Sequence, residues 1–253
     1  MTDPISTLVI LWCAFALFCG GLIKGTLGVG TPLLTVPLMA LVLPAQSAVA
    51  LMAMPVVVAN LWQAGKASDI KSVIGRFWPV TVSLLCGTLI GTNILTIIDE
   101  RVLLLVVGIC VIAFTLLQAS SLKLTIGPDM VRPAGVLFGM LAGLIGGISS
   151  MFGPMLIVYL VSVKDLGKND FVSAISFLYV CAVVPWTVSL LVLGVLKGPL
   201  LVASLLAVLP VTAGMVVGQR LRNRISENRF NHLILLILLI SGASLLWQSY
   251  NGG

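Results

Sequence analysis

The sequence predicts an all-α membrane protein, a polytopic transmembrane helical bundle built from two inverted repeats. Three observations carry this: long runs without charge, a duplicated glycine-rich stretch, and a one-sided distribution of lysine and arginine. Hydrophobic residues make up 59% of the 253 and charged residues only 9%, with a mean hydropathy of +1.19. Soluble domains carry about 25% charged residues, so this chain has too little polar cover for water. No Asp, Glu, Lys or Arg occurs in 4–23, 25–65, 77–98, 102–122, 133–163, 171–196, 198–219 or 230–253. A bilayer crossing takes about 20 such residues. A β-barrel would show short alternating strands instead.

Ten hydrophobic segments result, at about 5–24, 31–43, 47–64, 76–98, 101–119, 133–148, 153–163, 172–195, 199–219 and 230–248. The start, MTDPIS, lacks the basic residues of a cleavable signal, so the first segment reads as a retained helix. Eight segments are long enough to cross alone or nearly so. Segments 31–43 and 153–163 rise only ~17–20 Å at 1.5 Å per residue, against a hydrocarbon core of ~30 Å. The expectation is therefore about 8–10 membrane segments, two of them short.

Both short segments follow a glycine-rich break. Residues 20–38, GGLIKGTLGVGTPLLTVPL, return 122 positions later as 142–160, AGLIGGISSMFGPMLIVYL, with 8 of 19 positions identical. Echoes continue downstream: Gly87 and Gly91 against Gly214 and Gly218, and Ile97, Asp99 and Arg101 against Ile225, Glu227 and Arg229. Residues 1–122 then form a first repeat, 123–132 a cytoplasmic linker containing Gly127-Pro128, and 133–253 a second repeat.

If every segment crosses, the inner side receives Lys24, Lys66, Lys71, Arg76, Lys123, Arg132, Lys164, Lys168, Arg220, Arg222, Arg224 and Arg229. The outer side receives only Arg101 and Lys197. Twelve against two obeys the positive-inside rule and places both termini outside. Five segments per repeat is an odd number, so the second copy enters the membrane inverted, an architecture of many secondary transporters. The loop 220–229 reads as a topology anchor that also meets anionic lipid.

The eight acidic residues, Asp3, Asp69, Asp99, Glu100, Asp129, Asp165, Asp170 and Glu227, fall in termini, loops or segment edges. No carboxylate is placed at a membrane midplane, where a cation carrier usually needs one. His232 reads as an interfacial polar residue. No paired acid and base, activated nucleophile or phosphate loop is evident, so an enzyme is not expected. The five cysteines lack metal-ligand spacing and read as small buried hydrophobes. Neither a metal nor a cofactor is called for, and the scattered basic residues do not suggest nucleic acid.

The groups that remain favour an anion. A helix that starts after a break presents unpaired N–H donors and a partial positive charge, and Pro32 and Pro154 suit a first turn, where a donor is not required. The inverted arrangement predicts that the two starts approach each other and hold a small oxyanion or carboxylate. Gly28, Gly30 and Thr31 serve from one copy, and Ser149, Ser150 and Gly153 from the other. Gly25 and Gly147 complete the path in each copy. Two readings stand for these glycines, substrate path and close helix packing; for the Gly87/Gly91 and Gly214/Gly218 pairs packing is expected. Lys24 either snorkels to the inner face or draws an anion to the inner mouth. Asn60 and Gln63 either bind substrate or tie helices together. Most of the tryptophans and tyrosines read as interface anchors or packing.

The pattern Gly21-x-x-x-Gly25-x-x-Gly28-x-Gly30-x-Pro32, the later Pro37, and the recurrence through Gly143, Gly147, Gly153 and Pro154 resemble the sulfite exporter TauE/SafE family of bacterial membrane proteins. The resemblance covers nearly the whole chain. It implies a multi-pass transporter of the bacterial inner (cytoplasmic) membrane, moving sulfite, sulfonates or related organic anions. The chain departs from the family at Thr31, where glycine is frequent, and at Ser149, Ser150, Met151 and Phe152, where a more glycine-rich stretch is common. The expected function is alternating-access transport of a small anion, with membrane lipid around it. An anion channel and a non-transporting membrane scaffold are the rivals, and a homo-oligomer is compatible with the sequence.

Overall fold

The charge-free runs fold as helices, since a helix satisfies its own backbone where lipid offers no hydrogen bonds. The computed structural model describes residues 4–28, 30–65, 70–120, 125–164, 166–222 and 227–251. The helices are α1 (Pro4–Leu27), α2 (Thr31–Ala40), α3 (Ala45–Leu51), α4 (Ala53–Ala64), α5 (Ile70–Ile97), α6 (Glu100–Ala119), α7 (Val131–Ser149), α8 (Gly153–Ser162), α9 (Lys168–Val192), α10 (Gly198–Leu221) and α11 (Glu227–Asn251). Among the described residues, eight helical stretches are long and apolar enough to cross a membrane. The two short segments are α2 and α8, with 10 residues each; at about 15 Å neither spans a hydrocarbon core alone. The protein is thus a helical membrane protein of the predicted class. Of the residues used to orient it, Asp3, Lys66, Asp69, Lys123, Asp165 and Arg224 lie outside the described residues, as do the side chains of Lys71, Lys168, Glu227, Arg229 and His232.

The chain packs as two compact units, each drawing on both halves of the sequence. One comprises 1–55, 98–120 and 197–253, the other 56–97 and 121–196. In the first unit α1 packs along α10. A Cβ on Gly21 or Gly25 would enter the carbonyls of Val211 or Met215, and one on Gly214 or Gly218 those of Phe18 or Leu22. In the second unit α5 packs along α7 the same way, with Gly87 and Gly91 against Met140 and Leu144, and Gly143 and Gly147 against Leu84 and Thr88. These four GxxxG pairs, Gly21/Gly25, Gly87/Gly91, Gly143/Gly147 and Gly214/Gly218, therefore work as seams where two backbones touch. Small residues permit this where lipid offers no hydrophobic drive for association. In both units the first helix of one half pairs with the third long helix of the other.

The predicted segment 47–64 contains a break. Pro55 lacks an N–H and its ring excludes the carbonyl four residues back, so the helix stops at Leu51 and resumes at Ala53. The freed Leu51 carbonyl accepts a hydrogen bond from Ser204 Oγ of α10 at 2.9 Å, and Ser204 Oγ accepts one from the Met54 N–H at 3.1 Å. Glu100 caps the start of α3, accepting from the Ala45 N–H. Ser204 is fully buried. Ser204→Ala, which leaves both backbone groups without this partner, is expected to lower stability by about 1–3 kcal/mol, read as a fall in Tm in detergent.

In the second unit the linker is pinned to the end of α8. The Ile126 N–H donates to the Ser162 carbonyl at 2.7 Å, and the Lys164 N–H to the Ile126 carbonyl at 3.1 Å. Tyr159, fully buried, donates to the Val131 carbonyl at 2.9 Å beside the rings of Phe77 and Phe138. One sequence expectation needs correction. Only Cys13 is fully within the core; Cys19, Cys110 and Cys181 are half-buried and Cys86 is exposed. An apolar residue of a membrane helix satisfies its chemistry equally by facing lipid, so hydrophobicity alone does not imply burial.

Candidate functional site

The two breaks have the same local construction, 122 residues apart. Leu27 ends α1 and Ser149 ends α7; Thr31 opens α2 and Gly153 opens α8. The residue after each first helix lies in the left-handed region, Gly28 with φ 83° and Ser150 with φ 62°. Each then closes the preceding helix, the Gly28 N–H donating to the Lys24 carbonyl at 2.8 Å and the Ser150 N–H to the Gly146 carbonyl at 2.7 Å. A glycine takes this conformation freely, whereas for serine it costs of order 1–3 kcal/mol. Gly30 is also left-handed, with φ 97°. A Cβ at Gly28 would meet nothing within 4 Å, and one at Gly30 only the Ile23 methyl at 3.6 Å. Backbone shape, not close packing, therefore accounts for these two glycines.

Gly25 and Gly147 differ, since both sit in the tight seams described above. Their carbonyl-side surroundings are backbone, and packing accounts for their size. Gly153 is confined by the Tyr179 hydroxyl, which lies where a Cβ would stand.

No side chain caps the N-terminus of α2 or of α8, and Pro32 and Pro154 occupy the first turn of each. Beside both starts stands a buried hydroxyl. Thr31 is 1% exposed and Ser150 2% exposed, and neither Thr31 Oγ1 nor Ser150 Oγ has a hydrogen-bond partner among the described residues. Ser149, by contrast, is spent on structure: its hydroxyl donates to the Ile145 carbonyl at 2.6 Å and accepts from the Met151 N–H at 3.3 Å. An unpaired buried hydroxyl costs about 1–3 kcal/mol, and sites of binding are where such costs are retained.

The surroundings of the breaks are not alike. Lys24, in the last turn of α1, is 6% exposed. A snorkelling lysine keeps its head in water; this one is enclosed, near the carbonyl end of α1, which favours a cation. Its counterpart is Gly146, where a Cβ would enter the Phe152 ring. Phe152 packs edge-on against Trp186 at 5.9 Å, and Trp186 Nε1 donates to the Gly147 carbonyl at 3.0 Å. One break therefore carries a lysine and the other an aromatic pair.

Asn60 is buried and its Nδ2 donates to the Val56 carbonyl at 2.7 Å, one turn back on α4; Gln63 is half-buried. Sequence reasoning passed over α9. Tyr179 and Trp186 flank the second break from that helix. Ser176 and Thr187, 1% and 5% exposed, carry two more unpartnered hydroxyls. The available signal was a set of polar residues at helical spacing on an apolar helix.

No curated protein and no solved structure matches the chain. A model of the family described as "Sulfite exporter TauE/SafE" matches residues 13–245, a span that takes in both breaks, both glycine seams and nearly every membrane helix. With that coverage the chain belongs to the TauE/SafE sulfite exporter family of membrane transporters.

Proposed function

We propose that this family member is a secondary transporter of small anions, sulfite, sulfonates or related organic anions, working by alternating access in the bacterial cytoplasmic membrane. One observation carries the reading: at each break an uncapped helix start lies beside a buried hydroxyl without a partner, Thr31 in one and Ser150 in the other. Backbone N–H groups at a helix start and hydroxyl donors are complementary to an oxyanion, and the helix dipole adds a partial positive charge. Neutral donors of this kind hold an anion without trapping it, as a carrier that must also release its solute requires. Lys24 adds a buried amine, a further hydrogen-bond donor, at the first break. The pathway residues in this reading are Thr31, Pro32, Gly28 and Gly30 with Lys24, and Ser150, Ser149, Gly153 and Pro154, with Gly25 and Gly147 forming the packed wall. Asn60 and Gln63 are further polar candidates on α4.

Counterflow in proteoliposomes tests this. Vesicles loaded with unlabelled sulfite are expected to accumulate labelled sulfite transiently and saturably, with sulfonates competing. Anion flux without counterflow would instead identify a channel. Movement of a cation with no anion tested would overturn the anion reading.

A further inference from the structure

The second unit holds polar groups that neither the breaks nor the packing use. Ser176 and Thr187 lie on α9, 11 residues apart, three turns of helix, so they share a face about 16 Å apart. Both hydroxyls are buried and without hydrogen-bond partners among the described residues. This is unusual, because serine and threonine in membrane helices commonly return their hydroxyl to the carbonyl one turn back. Thr88, Thr92 and Thr115 do so here, at 2.6–2.7 Å. Between Ser176 and Thr187 the same helix supplies the two side chains at the second break, Tyr179 against Gly153 and Trp186 on the Gly147 carbonyl. The adjoining side of α9, with Val184 and Val188, is exposed and apolar.

We propose that α9 is a wall of the translocation path, with the Ser176 and Thr187 hydroxyls as hydrogen-bond donors to the passing anion on either side of the break at Ser150 and Gly153. This rests on the transport reading and extends it to a helix that reading did not include. The span of about 16 Å covers roughly half of a ~30 Å hydrocarbon core, so the donors lie along the stretch where a dehydrated anion most needs partners. The ligand class is a small hydrogen-bond-accepting anion, since this face of α9 offers hydroxyls and no carboxylate to ligate a metal cation.

The test uses single cysteines at 176, 187, 184 and 188, in protein whose five native cysteines are replaced by alanine, reconstituted in vesicles. The probe is 2-sulfonatoethyl methanethiosulfonate, a charged reagent that does not enter lipid. A thiol held in lipid stays protonated and unreactive, so Ser176→Cys and Thr187→Cys are expected to react about tenfold or more faster than Val184→Cys and Val188→Cys. Sulfite should slow the first two only. As a second measurement, Ser176→Ala and Thr187→Val should each lower sulfite counterflow about tenfold with insertion unchanged. Reaction at 176 and 187 in a protein that shows no sulfite counterflow would uphold the path and overturn the substrate. Intact counterflow with 176 and 187 as unreactive as 184 and 188 would overturn the path and leave the transport reading standing.

Discussion

Gly143→Ala is expected to destabilise the protein by about 3 kcal/mol or more, read as a marked fall in Tm and a lower yield of monodisperse material. The added Cβ would enter the Leu84 carbonyl and stand 2.6 Å from the Thr88 nitrogen. Both are main-chain atoms inside α5, so neither can swing aside as a side-chain tip would. Relief requires α5 and α7 to separate along their length, which would also part the contacts of Gly87, Gly91 and Gly147. Gly214→Ala should behave alike, through the Phe18 carbonyl and the Leu22 nitrogen of α1. Gly75→Ala is the control: it lies within α5 with nothing within 4 Å of its Cβ position, and alanine there should be neutral or favourable by up to ~1 kcal/mol. Thermal unfolding of the purified protein reads all three. Equal Tm values for Gly143→Ala and Gly75→Ala would show that the seams are looser than described.

Substitutions at the break hydroxyls should separate stability from transport. Thr31→Val keeps the shape of the side chain and removes a buried hydroxyl without a partner, so stability should rise by about 1 kcal/mol. Ser150→Gly removes both an unpartnered hydroxyl and a left-handed non-glycine residue, and should gain about 1–3 kcal/mol. Yet both should reduce sulfite counterflow about tenfold or more, the worth of a hydrogen bond to a charged partner. A purely structural role predicts the reverse pairing, in which flux follows stability. Unchanged flux in both variants would remove the hydroxyls from the path.

Much of this was legible in the sequence, because the bilayer imposes few solutions. Charge-free length located the membrane helices, and the short segments expected at 31–43 and 153–163 are Thr31–Ala40 and Gly153–Ser162. The ungapped alignment of the two glycine-rich stretches set Gly28 opposite Ser150, and both adopt the left-handed conformation. Which seams pair was not legible. Gly21-x-x-x-Gly25 advertises a close contact, but any small-residue face meets that need, and only the packing selects α10. Nor could the sequence separate Gly25, used for packing, from Gly28, used for backbone shape, since the glycines read alike. The division of labour between Ser149 and Ser150 was hidden for a similar reason. Adjacent hydroxyls differ only in whether a carbonyl lies within reach. The polar face of α9 was visible as spacing, but serine on a membrane helix usually bonds to its own backbone, and only geometry shows that Ser176 does not.

Equilibrium binding of labelled sulfite to the purified protein is the most direct test of the central claim. The comparison is wild type against the Thr31→Val, Ser150→Gly double variant, both shown to be folded by thermal unfolding. The breaks as anion sites predict saturable binding to wild type and affinity at least about tenfold weaker in the double variant, despite equal or higher stability. Equal affinity in the two proteins would contradict it.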